Sequence, residues 1–192
     1  MQRNWRTDSL AGLGDEIWAG LTWASQHPGE PWRLPALATI GEAGPQARTI
    51  VLREVTPSAR RLVAWTDSRS PKVDELRRDS RAQWLFHDPS NGLQLRAVSE
   101  VQIHQDDEVA RAAWTAVPPP NRTNYLGTEP PGTVLSRPDS DRHPDNSDVP
   151  SHFAVVVATV HELDWLWLDP AGHRRARLRW AGERWAGDWL VP

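Results

Sequence analysis

The succession of short strand-like segments is the feature that most constrains how this chain folds. From residue 34 onwards, stretches rich in apolar and β-branched residues alternate with turns such as Gly-Glu-Ala-Gly-Pro (41–45) and Asp-Pro-Ser-Asn-Gly (88–92). The predicted strands are residues 34–40, 47–55, 61–66, 82–87, 93–104, 153–161, 163–168, 173–180 and 184–190. Many strands with few helices predict a mainly β fold, a closed β-barrel with helical additions.

Three helices are predicted around these strands. Residues 8–26 carry apolar side chains at three- and four-residue steps, which is the period of an amphipathic helix. A second, short helix starts at Ser70, a suitable N-cap, followed by Pro71 at the favoured first position. A third covers residues 107–114.

The stretch from residue 117 to residue 150 has no periodicity and contains eight of the chain's 17 prolines. Long segments of this kind are either functional excursions or partly disordered, mobile loops, and the sequence leaves both interpretations open.

Composition excludes several classes of protein. A length of 192 residues predicts one domain over the whole chain. The net charge of −3 shows no basic excess, so we expect no nucleic-acid partner. The absence of cysteine excludes disulfides and thiolate catalysis. The first residues lack the apolar core of a signal peptide, and no run approaches the roughly 18 apolar residues of a membrane span, so we expect a cytoplasmic protein with no membrane partner.

The common catalytic patterns are missing. Gly-Leu-Gly (12–14) lies inside the first helical pattern and lacks the rest of a dinucleotide-binding fingerprint. The seven histidines show no HExxH-type pairing, and we predict no metal site. The tryptophans, 12 against two phenylalanines, are interpreted mainly as core or subunit-interface residues.

Cationic residues within strands stand out instead. Strand alternation places Arg48 on the face of Ile50 and Leu52, and Arg53 on the opposite face. A buried cation needs a partner, which is either an anionic ligand or, more simply, solvent or a carboxylate. Lys72 is the only lysine among 22 basic residues, which indicates either a specific role or chance.

Five short motifs follow one another along the chain. They are Arg-Thr-Ile-Val-Leu-Arg (48–53), Trp-Thr-Asp (65–67), the series from Ser-Arg-Ser-Pro-Lys (68–72) to Ala-Gln-Trp-Leu-Phe (82–86), Leu-Gln-Leu-Arg (93–96), and Trp167 with Gly172, His173, Arg175 and Arg177. In their order and spacing, from about residue 34 to the C-terminus, they resemble the pyridoxamine 5'-phosphate oxidase-like family of FMN-binding split barrels.

The resemblance implies an FMN site. Arg48 and Lys72 would hold the phosphate, Gln94 would reach the flavin from a second subunit, and Arg177 would stabilise the reduced flavin. The full set of implied cofactor residues is Arg48, Thr49, Ile50, Val51, Leu52, Arg53, Trp65, Thr66, Ser70, Lys72, Gln94, Trp167 and Arg177.

The substrate residues of the family are less well matched. The implied substrate site consists of Arg53, Arg122, His173 and Arg175. Arg53 stands where the family has a lysine, the closing Arg-x-His pair is inverted, and Tyr125 falls out of register with the family's tyrosine. The resemblance therefore implies an FMN-dependent oxidoreductase, a homodimer, acting on an unidentified small molecule. Two alternatives stay open: a flavin- or haem-binding protein without turnover, and a deazaflavin-dependent reductase.

Overall fold

The chain starts with a helix that packs on the sheet. In the computed structural model, which describes residues 5–138 and 150–192, helix α1 spans Leu10–Gln26. The Ser9 hydroxyl caps it by accepting a hydrogen bond from the Gly12 amide at 3.2 Å. Its apolar face, which includes Leu13, Ile17 and Leu21, is fully buried, as the sequence period predicts.

Nine antiparallel strands form one sheet. They are β1 (Ala36–Gly41), β2 (Gly44–Thr49), β3 (Glu54–Thr56), β4 (Arg61–Asp67), β5 (Arg81–Asp88), β6 (Leu93–Gln105), β7 (Phe153–Trp167), β8 (Arg174–Trp180) and β9 (Trp185–Leu190). The order across the sheet is β2-β1-β5-β6-β7-β4-β3, and β8 pairs with both β7 and β9. The long strand β7 pairs with β4 through its first half and with β8 through its second half, so the sheet divides there into two branches.

The two strands predicted at 153–161 and 163–168 are one strand, so this boundary was wrong. Ser99 of β6 is opposite Val160, whereas its neighbour Val98 is opposite Glu162. His161 is therefore the extra residue of a β-bulge, which changes the side-chain alternation without ending the pairing.

The strand predicted at 47–55 is divided, because the chain changes partners within it. The amides of Ile50 and Leu52 still donate to the carbonyls of residues 35 and 33, both at 3.0 Å, beside β1. The very next amide, that of Arg53, donates instead to the carbonyl of Val63 in β4 at 2.8 Å. The segment thus connects the two ends of the sheet order, β2 and β3.

The remaining helices are short. They are α2 (Pro71–Arg78), α3 (Glu108–Thr115) and α4 (Pro119–Arg122), with single 3-10 turns at Pro31–Arg33, Pro57–Ala59, Pro89–Asn91 and Thr123–Tyr125. The helix predicted at 107–114 is α3, for which Asp107 is the N-cap. The Pro-rich stretch thus contains α4 and one 3-10 turn; its residues 139–149 lie outside the described residues.

Two apolar clusters lie against the sheet. The larger one fills the barrel interior, where Trp84 and Trp165 are fully buried, and α1 packs against it. The smaller one joins α3 to the outer face of β4 and β7 through Trp114, Phe153 and Tyr125. Within the described ranges, no helix is both long and apolar enough to cross a membrane.

Candidate functional site

The single lysine lies where β4 ends and α2 begins. Its Nζ donates hydrogen bonds to Thr66 Oγ1 at 3.0 Å and to Ser70 Oγ at 2.6 Å. Both hydroxyl residues are buried, with 6% and 2% of their surface exposed. Ser70 is at the N-cap position, as predicted, but makes no capping hydrogen bond with its side chain, which accepts from Lys72 instead.

Arg48 enters the same site from β2. Its Nη2 lies 2.8 Å from Glu75 Oε2, and its Nη1 donates to Thr39 Oγ1. The Thr39 hydroxyl in turn donates to Glu75 Oε2 at 2.5 Å. Glu75 is a buried residue of α2. Arg48 therefore has a carboxylate partner, as one of the two interpretations of the sequence expected.

This phosphate-site cluster, defined as Arg48, Thr66, Ser70 and Lys72, has an excess of positive charge. Arg48 and Lys72 are its two cations; of the carboxylates nearby, that of Glu75 is bonded to Arg48 and that of Asp67 is bonded to Arg69. Burial, and then the charge of Arg48, lower the pKa of Lys72, whereas Asp67 and Glu75 act in the opposite direction. A dianion placed between the cations would relieve their repulsion and accept from both hydroxyls, so the donor set fits a phosphate group.

The extended segment 49–52 runs from this cluster along the edge of the sheet. The side chains of Ile50 and Leu52 are buried in the barrel, and their amides are bonded toward β1. The intervening Val51 amide makes no hydrogen bond within the described part of the chain. Its peptide group is therefore available to the edge of a ring system that follows the phosphate, which fits FMN.

A second group of residues surrounds Arg53. Its guanidinium carbon lies 4.6 Å from the centre of the Trp65 ring, and its Nη2 donates to the Tyr125 hydroxyl at 3.4 Å. Strand alternation places Trp65 and Thr66 on opposite faces of β4, so these two predicted cofactor residues belong to different groups.

The family spacing matches Arg122 and leaves Tyr125 out of register, but the structure places only Tyr125 next to Arg53. Tyr125 lies beside Arg53, whereas Arg122 stacks on Trp114 at 5.3 Å and donates to the Val117 carbonyl. The one available signal was that Tyr125 is the chain's only tyrosine.

A third group lies on the outer face of β6, β7 and β8. Gln94 is opposite Leu166, which is opposite Arg175; the next outward-facing row contains Arg96, Asp164 and Arg177. Since β1 and β5 separate β2 from β6, Gln94 lies roughly 14 Å along the sheet from the β2 row that carries Arg48.

Asp164 organises this third group. Its carboxylate accepts from Arg175 at 3.1 and 3.0 Å and also from Arg96. Burial favours the neutral acid, but the hydrogen bonds from Arg175 and Arg96 together outweigh it and lower the pKa of Asp164. The sequence did not single out this residue, because its two partners come from two other strands, β6 and β8.

Trp167 and His173 stand apart from the third group. Trp167 faces the other side of β7, where it packs near Trp165 and beneath the Arg6 guanidinium at 5.3 Å. His173 is exposed in the turn before β8. The structure thus brings most of the predicted site residues together in three separate places and leaves Arg122, Trp167 and His173 outside them.

Comparisons with known proteins bear on the fold and on the family resemblance. The sequence model of a family described as "Pyridoxamine 5'-phosphate oxidase, FMN-binding domain" matches residues 18–105. No curated protein sequence matches the chain.

Three similar solved structures cover between 78% and 97% of the chain. A pyridoxamine 5'-phosphate oxidase-related, FMN-binding protein from Nostoc punctiforme is 20% identical with a TM-score of 0.78, and the alignment covers 96% of this chain and 100% of that one. PhzG from Burkholderia lata, in complex with tetrahydrophenazine-1-carboxylic acid, is 18% identical with a TM-score of 0.72, covering 97% and 99%. General stress protein 26 from Bacillus anthracis is 11% identical with a TM-score of 0.51, covering 78% and 92%. The predicted fold class is confirmed, and so is the resemblance to the pyridoxamine 5'-phosphate oxidase-like family of FMN-binding split barrels.

Proposed function

We propose that this protein is an FMN-dependent oxidoreductase that acts on a small anionic molecule. The observation that carries the proposal is the phosphate-site cluster, where the chain's only lysine and Arg48 meet two buried hydroxyls. The family match covers the same residues and supports a phosphorylated flavin over an unphosphorylated one.

The chain's own residues would bind and orient the cofactor. Arg48 and Lys72 would neutralise the phosphate, Thr66 and Ser70 would donate hydroxyl hydrogen bonds, and the segment 49–52 would present its backbone to the ribityl chain and ring. Bound FMN supplies hydride transfer, the chemistry that no side chain here provides.

Arg53 is our candidate for holding the substrate. Among the described residues it has no carboxylate partner, and its Nε is buried without a hydrogen-bond partner. Trp65 keeps the guanidinium plane fixed from one side. A planar, fixed guanidinium binds a carboxylate or phosphate through two hydrogen bonds, so this site favours an anionic substrate.

A second copy of the chain would complete the site. The predicted cofactor residues Gln94 and Arg177 lie on an outer face that also exposes Leu34 and Leu85, with 57% and 37% of their surface accessible. Apolar side chains on such a face suit an isologous contact. We expect light scattering to show a dimer and the paired change Leu34→Asp and Leu85→Asp to weaken it. A monomer that binds FMN at micromolar concentration would refute this part.

Titration of the flavin-free protein tests the proposal directly. FMN should bind more tightly than riboflavin, and the loaded protein should lose its flavin colour when a suitable electron donor is added without oxygen and regain it in air. Preferential binding of haem or of a deazaflavin would favour an alternative function. FMN binding with no donor among amines and nicotinamides would indicate a flavin-binding protein without turnover.

A further inference from the structure

The tripeptide Asp-Ser-Arg occurs at residues 67–69 and again at 79–81, and the two copies have the same internal geometry. Arg69 Nε donates to both oxygens of Asp67 at 3.0 and 3.2 Å, and its Nη2 donates at 2.6 Å. Arg81 makes the same three bonds to Asp79 at 2.9, 3.2 and 2.6 Å. In each copy the arginine amide also donates to the aspartate.

The two arginines differ in what else they hold. Arg69 Nη1 donates to the Thr128 carbonyl and its Nη2 to the Gly127 carbonyl, both at 2.9 Å. Its side chain is 27% exposed, against 70% for Arg81. Within the described residues, Arg81 donates only to Asp79.

The segment that Arg69 holds carries Tyr125. The Tyr125 carbonyl lies 2.7 Å from His152 Nε2, to which it can only act as acceptor. The His152 carbonyl accepts from the Ser68 amide at 2.7 Å. Both ends of this connection therefore return to residues 67–69, the turn that joins Thr66 of β4 to Lys72 of α2.

We propose that Arg69 is a positioning residue that fixes residues 123–128 against this turn, so that the Tyr125 hydroxyl stays beside Arg53. The inference deepens the proposed function, on which its relevance to the substrate rests. Five N–H groups in a rigid fork allow one arginine to satisfy Asp67 and two carbonyls at once, which a lysine cannot do. The same side chain thereby connects the phosphate-binding turn to the candidate substrate site.

A fluorine label on the single tyrosine tests the proposal. Biosynthetic incorporation of 3-fluorotyrosine gives one 19F resonance, because Tyr125 is the only tyrosine. In flavin-free Arg69→Met protein, this resonance should shift toward its position in denatured protein. Arg69→Lys, which keeps a cation for Asp67, should lie between Arg69→Met and the unaltered chain. Arg81→Met is the matched control and should leave the resonance in place.

Two outcomes would overturn the proposal: an unmoved resonance in Arg69→Met, or equal shifts in Arg69→Met and Arg81→Met. If circular dichroism shows that Arg69→Met is unfolded, Arg69→Lys decides alone by the same comparison with Arg81→Met. The proposed function is tested separately by the preference for FMN over riboflavin. A chain without that preference would contradict the function while leaving the 19F result to decide the role of Arg69.

Discussion

Replacing Lys72 by alanine should weaken FMN binding and leave riboflavin binding almost unchanged. In the flavin-free site, the Lys72 Nζ group donates hydrogen bonds to the hydroxyls of Thr66 and Ser70. A bound phosphate would accept from the same ammonium group, and riboflavin has no phosphate to do so. Comparing the loss of affinity for FMN with that for riboflavin therefore separates the phosphate contact from any general effect on the fold.

The expected size follows from the kind of contact that is lost. A hydrogen bond to a charged group contributes about 1.5–3 kcal/mol, and each 1.36 kcal/mol corresponds to about a tenfold change in affinity. FMN affinity should thus fall about tenfold to a hundredfold. Arg48 stays in place in this variant, so the remaining cation retains part of the attraction.

Fluorescence titration of flavin-free protein with each ligand measures both dissociation constants. Arg77→Ala is the matched control, because Arg77 lies on the same helix, is 48% exposed and bonds to Asp74 and Gln105 at the surface. Equal losses for FMN and riboflavin in the Lys72 variant would show that the lysine acts through stability and would refute the assignment of a phosphate site.

Three further outcomes are expected. Burial and Arg48 lower the pKa of Lys72, so the preference for FMN over riboflavin should decline with rising pH, and at a lower pH than an ordinary lysine would give. Titrations of Lys72→Arg should show the preference persisting to higher pH. Asp164→Ala should lower the free energy of unfolding by about 1.5–3 kcal/mol at neutral pH. The pKa of Asp164 in the folded protein lies below its ordinary value of about 3.9. Denaturant titrations should therefore show the difference between the two proteins disappearing as the pH falls through this lowered pKa. Steady-state oxidation of pyridoxamine 5'-phosphate by the FMN-loaded protein should stay below a kcat/KM of roughly 10⁴ M⁻¹s⁻¹. The reasons are that Arg53 is a bulkier cation than the family's lysine and that Arg122 is stacked on Trp114. A higher value would show that these residues still form a vitamin B6 site.

The elements that the sequence predicted well are those set by local pattern. The strand at 61–66 was one residue short of β4, and the helix at 8–26 two residues longer than α1, because side-chain period and capping residues lie within the element itself. The two errors arose where pairing changes. The bulge at His161 and the change of partner after Leu52 depend on strands distant in sequence, so period alone does not reveal them.

The same distinction applies to the site. Lys72, Thr66 and Ser70 lie within seven residues of chain, and the composition of the sequence singled out the lysine. The contact between Arg53 and Tyr125 joins residues 72 positions apart. It depends on a segment without period, for which no sequence rule gives a position.

The proposed phosphate site and the proposed substrate site differ in what holds their residues in place. The proposed phosphate site lies on a strand end and the first turn of a helix, whose backbones the sheet and the barrel core already fix. The proposed substrate site depends on residues 123–128, which are held by the Arg69 and His152 hydrogen bonds as well as by the burial of Tyr125 and Leu126. A few substitutions there would move Tyr125 without disturbing the barrel, because they alter bonds to a surface segment and not the pairing of strands. Similarity of fold at 20% identity or less therefore shows the barrel alone and does not identify a substrate.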